Sequence, residues 1–372
     1  MKKFLPRILA ILLLSSPSYA KGVTQYPSVT GDALVQFHAD RVISTKKSGV
    51  AANNAFIYIE PNISLNFNKN WSIKTGWRIH PNSVLTTRNS TYPERYRTVL
   101  QEDRGFHFDD NGLLVEELKL NFENRDMEFF IGKFDPKFGT AHNKRKRIGV
   151  FTSQFTEDYN LREKIGTGVS ALLERSKISF STFFNDTTGL ADSALDGRGR
   201  PSRSDGLAGN TGTLSSYVVK IEGEDFFGIH NLIYNIGYRS LSVDDMEDRA
   251  REQGYVFGAE YLYKIGARSS IIPFIELVKI NNFTGASGRG AFYKTAAIIT
   301  KYRSWIGSVS YVDREVDKYQ TSIPEANDRQ LQLSVGYKFT NNIALDVTRA
   351  AIKEDGYTAS VLGFALSYLY EF

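Results

Sequence analysis

Cysteine is absent from the 372 residues, which excludes disulfides and thiolate metal sites. No sign of charge dominates: 46 Lys+Arg stand against 41 Asp+Glu, a net charge of +5. That near balance argues against a nucleic-acid-binding surface. Histidines are few (His38, His80, His107, His142 and His230), and neither H-E-x-x-H nor G-x-S-x-G occurs. A hydrolase needs a nucleophile, a base and an orienting group within reach of one another, so the expectation is a non-enzyme without cofactor or metal. Long hydrophobic runs are missing too. The uncharged stretch from Ile8 to Ala20 spans 13 residues, short of the roughly 20 that carry a helix across a bilayer. What is abundant is aromatic: 20 Tyr and 25 Phe, in a chain whose mean hydropathy is only −0.30.

The first twenty residues, MKKFLPRILAILLLSSPSYA, combine Lys2, Lys3 and Arg7, an apolar run Ile8–Leu14, and the small-x-small triplet Ser18-Tyr19-Ala20. This reads as a secretory signal peptide cleaved after Ala20, leaving 21–372 as one domain. Losing 1–20 removes three positive and no negative charges, so the net charge falls from +5 to +2. An exported chain without cysteine suits a bacterial envelope.

Beyond the leader, apolar and polar residues alternate almost everywhere. Ile57, Ile59, Ile63, Leu65 and Phe67 share one parity, and Tyr58, Glu60, Asn62, Ser64 and Asn66 the other. Leu331, Leu333, Val335 and Tyr337 alternate with Gln330, Gln332, Ser334 and Gly336. Period two means strands with one apolar and one polar face. Sixteen are predicted, at 28–40, 55–67, 71–81, 113–123, 127–138, 165–174, 177–186, 215–222, 229–242, 254–264, 270–283, 291–302, 305–313, 329–340, 343–353 and 359–372. Their connections alternate in length. Short ones (68–70, 124–126, 175–176, 223–228, 265–269, 303–304, 341–342) interleave with long ones (41–54, 82–112, 139–164, 187–214, 243–253, 284–290, 314–328, 354–358).

This pattern predicts an all-β fold, a transmembrane antiparallel β-barrel with short periplasmic turns and long extracellular loops. In hydrocarbon every backbone donor and acceptor needs an internal partner, so a spanning sheet must close on itself. The outer face must be apolar while the lumen is free to be polar, which reconciles low mean hydropathy with a heavy aromatic load at the two interfaces.

The last strand ends on Tyr368, Tyr370 and the terminal Phe372. This resembles the terminal signature of Gram-negative outer-membrane porins, in which the final aromatics, here Phe372 and Tyr370, are read by the barrel-assembly machinery. Gly132-Lys133-Phe134-Asp135-Pro136-Lys137-Phe138-Gly139 also resembles the G-K-F-x-P-x-F-G segment of the phosphate-selective porin O and P family. The resemblance implies a homotrimer in outer-membrane lipid and lipopolysaccharide, with ions and small hydrophilic solutes diffusing passively through each lumen. It also implies that the third external loop, 139–164, folds inward and narrows the pore.

The candidates for the constriction follow from that. Lys144, Arg145, Lys146 and Arg147 form a basic run after His142, with Lys133 and Lys137 at the end of the preceding strand and Lys74 and Arg78 inward by parity. Positive charge in a narrow, partly desolvated passage attracts anions. The opposite reading is a solvated basic loop touching lipopolysaccharide, and Glu157, Asp158 and Glu163 in the same loop allow a mixed-charge constriction. Inward parity assigns Lys74, Arg78, Lys119, Lys220, Arg239, Lys264 and Lys338 against Glu117, Glu174, Glu222, Glu260, Glu276 and Asp346, a near balance. Lys133 shares parity with Met127, Phe129 and Ile131, which face lipid, so a bulge or a place near the rim is needed there. The alternatives to a general porin are a phosphate- or polyphosphate-specific channel and a barrel that binds surface partners as adhesin or phage receptor.

Overall fold

The computed structural model describes residues 25–50, 52–81, 106–107, 111–144, 153–195, 199–201, 207–244, 248–318, 325–339 and 342–372. The signal-peptide reading at 1–20 and Arg145, Lys146 and Arg147 lie outside these residues.

Sixteen strands build the wall. They are β1 (Ser28–Thr45), β2 (Asn53–Asn66), β3 (Trp71–Pro81), β4 (Asn111–Glu123), β5 (Met127–Phe134), β6 (Lys164–Leu173), β7 (Ser176–Asn185) and β8 (Ser216–Glu224). There follow β9 (Leu232–Leu241), β10 (Glu252–Tyr261), β11 (Ser269–Asn281), β12 (Gly290–Tyr302), β13 (Trp305–Val316), β14 (Ala326–Lys338), β15 (Ile343–Glu354) and β16 (Tyr357–Glu371). Each pairs antiparallel with its sequence neighbours, and β1 pairs with β16 from Asp32↔Glu371 to Thr45↔Ala359, closing the barrel. Phe372 continues that seam: its N–H donates to Gly31 O (3.0 Å) and its carbonyl accepts from Gly31 N (2.9 Å).

The wall is inside-out relative to a soluble protein. On β14, Leu331, Leu333 and Val335 are 52%, 57% and 47% exposed, while Gln330 and Gln332, alternating with them, are each 1% exposed. An apolar belt on a closed sheet is a membrane-spanning surface. Aromatic pairs ring both ends, Trp71–Phe122 and Trp305–Tyr337 near the short turns and Tyr217–Tyr238–Tyr255 toward the long loops. The fold and setting are those of an outer-membrane β-barrel.

Local chemistry explains the turns. Asn68 Oδ1 accepts from the backbone N–H groups of Asn70 and Trp71, and Asn124 Oδ1 from those of Asp126 and Met127. Both are Asx turns that fold the chain back within three residues. Predicted boundaries shift in several places. β1 and β2 extend until only 46–52 separates them. The connection predicted as long at 354–358 is a tight two-residue turn, Asp355-Gly356, with φ of 51° and 81°. Asp-Gly is the residue pair such a type I′ hairpin favours. β5, predicted to 138, stops at Phe134, because Pro136 has no N–H for the ladder and the chain leaves the wall for the lumen.

That departure strips the upper edge of β4 of a partner. A strip at Ala194–Leu195 pairs with Gly112 and Leu113 instead, patching the opening.

Candidate functional site

The third loop crosses the lumen. On its entering side, Thr140 N–H and Oγ1 and Ala141 N–H donate to the Glu276 carboxylate of β11 at 2.7, 2.8 and 3.1 Å. On its returning side, Tyr159 Oη donates to the same carboxylate at 2.8 Å. Arg239 of β9, paired with Glu252 (2.6 Å), donates to Tyr159 O (2.6 Å). Asp158 accepts from Arg314 of β13 (2.8 Å) and Tyr293 of β12 (3.1 Å), and Arg314 also pairs with Asp328 of β14. Phe155 lies under the Arg314 guanidinium and packs with Val42, Ala350, Ile352 and Val361 of the far wall. Back toward β3, Arg162 bridges Glu157 (2.8 Å) and Glu116 (3.2 Å), and Glu116 takes Arg78 at 2.6 Å. The loop is thus a strut held at both walls by charge-assisted hydrogen bonds.

Burial and charge tune the loop. Burial pushes the Tyr159 hydroxyl well above its ordinary value, and Glu276 adds to the shift. Burial would lower Arg162, but Glu157 and Glu116 outweigh it and hold it firmly cationic. Burial, with Glu116 nearby, raises Asp135 to about 7. Burial lowers His142 to about 4, so this imidazole is neutral at physiological pH and brings no positive charge.

A register shift at Gly76/Trp77 sets the acidic side of this network. Gly76 faces Glu117 and Trp77 faces Val115, so Glu116 is the extra residue. A bulge turns two consecutive side chains to one face, and both Glu116 and Glu117 point inward. Strict alternation places Glu116 outward, which is why parity missed it.

The predicted constriction residues separate. Arg78 stands at the level of the strut, ion-paired to Glu116 and over the Tyr58 ring (5.3 Å). Lys74 lies near the short-turn mouth, paired with Glu123 at 3.0 Å. Lys133 is outward, as its parity indicates, and buried: its side chain is 1% exposed, held by Glu163 (3.0 Å), Asp186 (2.8 Å) and Leu190 O (2.8 Å). It clamps the patched wall and is no pore lining. His142 is buried in the strut, and Lys144 closes a short helical turn, Ala141–Lys144.

Lys137 is exposed within the lumen. Enclosure, with Lys177 nearby, lowers its pKa from the usual ammonium range. It shares a small cavity with Lys119, Lys177, Glu117, Glu128 and Asp135. Lys119 pairs with Glu117 (3.1 Å), Lys177 with Glu128 (3.1 Å) and Lys220 with Glu222 (2.7 Å). Lys137 makes no ion pair among the described residues. Toward the short-turn end a cavity of about 550 Å³ opens under Thr140, lined by Lys177, Glu222, Asn235 and Glu260. On the opposite wall Gln330, Gln332, Ser334 and Thr348 hydrogen-bond in a row.

No family model matches the chain, and no curated protein matches it. Solved structures do. The outer-membrane channel DcaP of Acinetobacter baumannii aligns over 92% of this chain and 96% of its own, at 11% identity and TM-score 0.57. OpdK of Pseudomonas aeruginosa in complex with vanillate covers 92% and 99%, at 9% identity and TM-score 0.54. OmpT of Vibrio cholerae covers 94% and 99%, at 9% identity and TM-score 0.51. At such identities the likeness is one of fold: this chain has the barrel fold of Gram-negative outer-membrane channels.

Proposed function

We propose that the chain is a porin-like channel through which ions and small hydrophilic solutes diffuse passively, with a modest preference for anions. The observation that carries this reading is the strut. A third loop tied across the lumen to Glu276 and Arg314 narrows the passage on its charged side and leaves Lys137 open to water there. An unpaired ammonium in a confined space favours anions, whereas the paired lysines beside it contribute little net field. Lys144, Arg145, Lys146 and Arg147 add to the same preference in this reading. Three barrels assemble in the outer membrane, with Phe372 and Tyr370 as the assembly signal.

Planar-bilayer recording of the refolded protein under a salt gradient tests this. Ohmic steps in groups of three, with a reversal potential on the anion side that moves toward zero in Lys137→Gln, are expected. A folded barrel with no conductance refutes the channel and favours surface binding. An unchanged reversal potential removes Lys137 from the filter. Saturation and block by millimolar phosphate would narrow the reading to a phosphate-specific channel.

A further inference from the structure

The outer wall carries cations where lipid is expected. Outward positions on β15 are Ile343, Leu345, Val347, Arg349, Ala351 and Lys353, and Arg349 and Lys353 are exposed. Register places Arg349 opposite Leu362 of β16, which in turn faces Arg41 of β1, also exposed. Lys353 lies opposite Thr358 on one side and Arg329 of β14 on the other. Arg329, 54% exposed, has Asp313 as a partner at 3.2 Å. Arg41, Arg349 and Lys353 make no ion pair among the described residues.

Two features make this arrangement unfavourable on its own. Like charges directly opposite on neighbouring strands destabilise a sheet, as Arg329 and Lys353 do here. Arg349 and Arg41 flank Leu362 and stand near Val347 and Leu333, all exposed on the lipid face, and a bare cation there is costly. By contrast, the outer faces of β4 to β7 show Leu118, Leu120, Phe129, Ile131, Val169 and Phe180. The described lysine of that region, Lys133, is buried and paired.

We propose that the basin bounded by Arg41, Arg329, Arg349 and Lys353 binds the phosphate group of an outer-leaflet glycolipid. Its floor is small and hydroxylated, with Ala351, Ser360 and Thr358 between the cations. Guanidinium forks pair with phosphate oxygens bidentately and an ammonium adds a point charge. Leu362, Val347 and Leu333 lie on the membrane side and receive the acyl chains. Above the basin the barrel ends in the two-residue turn Asp355-Gly356, leaving room for a bulky saccharide headgroup where a long loop would stand. The height matches the leaflet: the cations lie in the long-loop half of the wall, on the side of lipids bearing sugar phosphates.

The test is native mass spectrometry of the refolded barrel released from micelles doped with lipid A, intact or enzymatically dephosphorylated. Wild type is expected to retain intact lipid A about tenfold more than the dephosphorylated form, a difference of about 1.4 kcal/mol. Arg41→Ser, Arg349→Ser and Lys353→Ser together are expected to abolish that difference, and the single Lys353→Ser at the rim to reduce it if the triple variant does not refold. Heat-dependent electrophoretic mobility reports folding. Equal retention of the two lipids, or an unaffected variant, overturns the proposal. Displacement by millimolar inorganic phosphate would assign the basin to the free ion. Loss of an oligomeric mass with lipid retention unchanged would assign it to a second copy of the chain.

Discussion

Glu276 is the point at which the third loop is most economically released. Its side chain is inward on β11 and the residue is 1% exposed. One oxygen accepts from Thr140 N–H and Oγ1, the other from Ala141 N–H and Tyr159 Oη. Glu276→Gln keeps the shape but turns one of these oxygens into an amide donor. Whichever oxygen is replaced, one backbone N–H loses its bond outright and faces a donor, the hydroxyl beside it (Thr140 or Tyr159) has to turn and accept from the amide, and every surviving bond loses its charge. At about 1.5–3 kcal/mol for a hydrogen bond to a charged group, the lost backbone bond alone costs about 1.5–3 kcal/mol. The lower figure alone shifts the docked-to-released ratio of the loop by about tenfold. The strut is otherwise held by Asp158, Arg162 and Phe155, so the expected result is a loop released at its entering end. Single-channel recordings should show larger, noisier steps than wild type, with heat-modifiable mobility retained because the wall hydrogen bonds are untouched. Steps of wild-type size and noise from a folded Glu276→Gln barrel would refute the assignment of this carboxylate as the anchor.

Lys133→Met is expected to destabilise the barrel by about 3–5 kcal/mol, the usual consequence of removing one partner of a buried ion pair, since Glu163 and Asp186 would face each other uncompensated. Urea unfolding in detergent, read by tryptophan fluorescence, measures it, and an unchanged midpoint would mean that the patched wall does not depend on this clamp. Asp135 gives a pH signature. Its carboxyl is raised to about 7 from 3.8, so between about pH 4 and 7 the folded state binds more protons than the unfolded one, and stability falls as pH rises through that window. Asp135→Asn should flatten that part of the pH profile of the same unfolding curve, and an identical slope in both proteins would contradict the burial that raises the group.

Period-two reading recovers the wall because hydrocarbon enforces it along the lipid-facing belt, as Leu331, Leu333 and Val335 show. It fails where the backbone breaks register. The bulge opposite Gly76/Trp77 brings Glu116 inward beside Glu117, and no count of alternation reveals one extra residue. Lys133 was anomalous by parity, and the anomaly was genuine: it is an outward cation made tolerable by two carboxylates from a loop about 50 residues further on and from the strut. Asp355-Gly356 is a hairpin signal in the sequence, and its tight turn breaks the alternation of loop lengths. Arg145, Lys146 and Arg147, the strongest sequence argument for a basic constriction, lie outside the described residues, and Lys137 is a lumen cation exposed to water.

The inward path of the third loop had a signal of its own. On β11, the inward residues Ile272, Phe274, Val278 and Ile280 are as apolar as the outward ones, and they are 3%, 4%, 0% and 0% exposed. β12 repeats this with Ala291, Tyr293, Ala297 and Ile299. A water-filled lumen would leave these side chains wet, so a strand apolar on both faces in an otherwise alternating barrel marks a stretch of wall that something covers. Ala141 packs on Ile272, Phe274, Ala297 and Ile299, and Phe138 and Tyr159 join Val278 and Ile280 in a second cluster. Within that apolar row Glu276 is the lone carboxylate, and burying it requires donors from the covering segment. Two-faced apolarity says where the lumen is covered, and the isolated acid within it says where the cover is tied. Lys137, on the opposite side of the loop from that apolar cover, is left exposed.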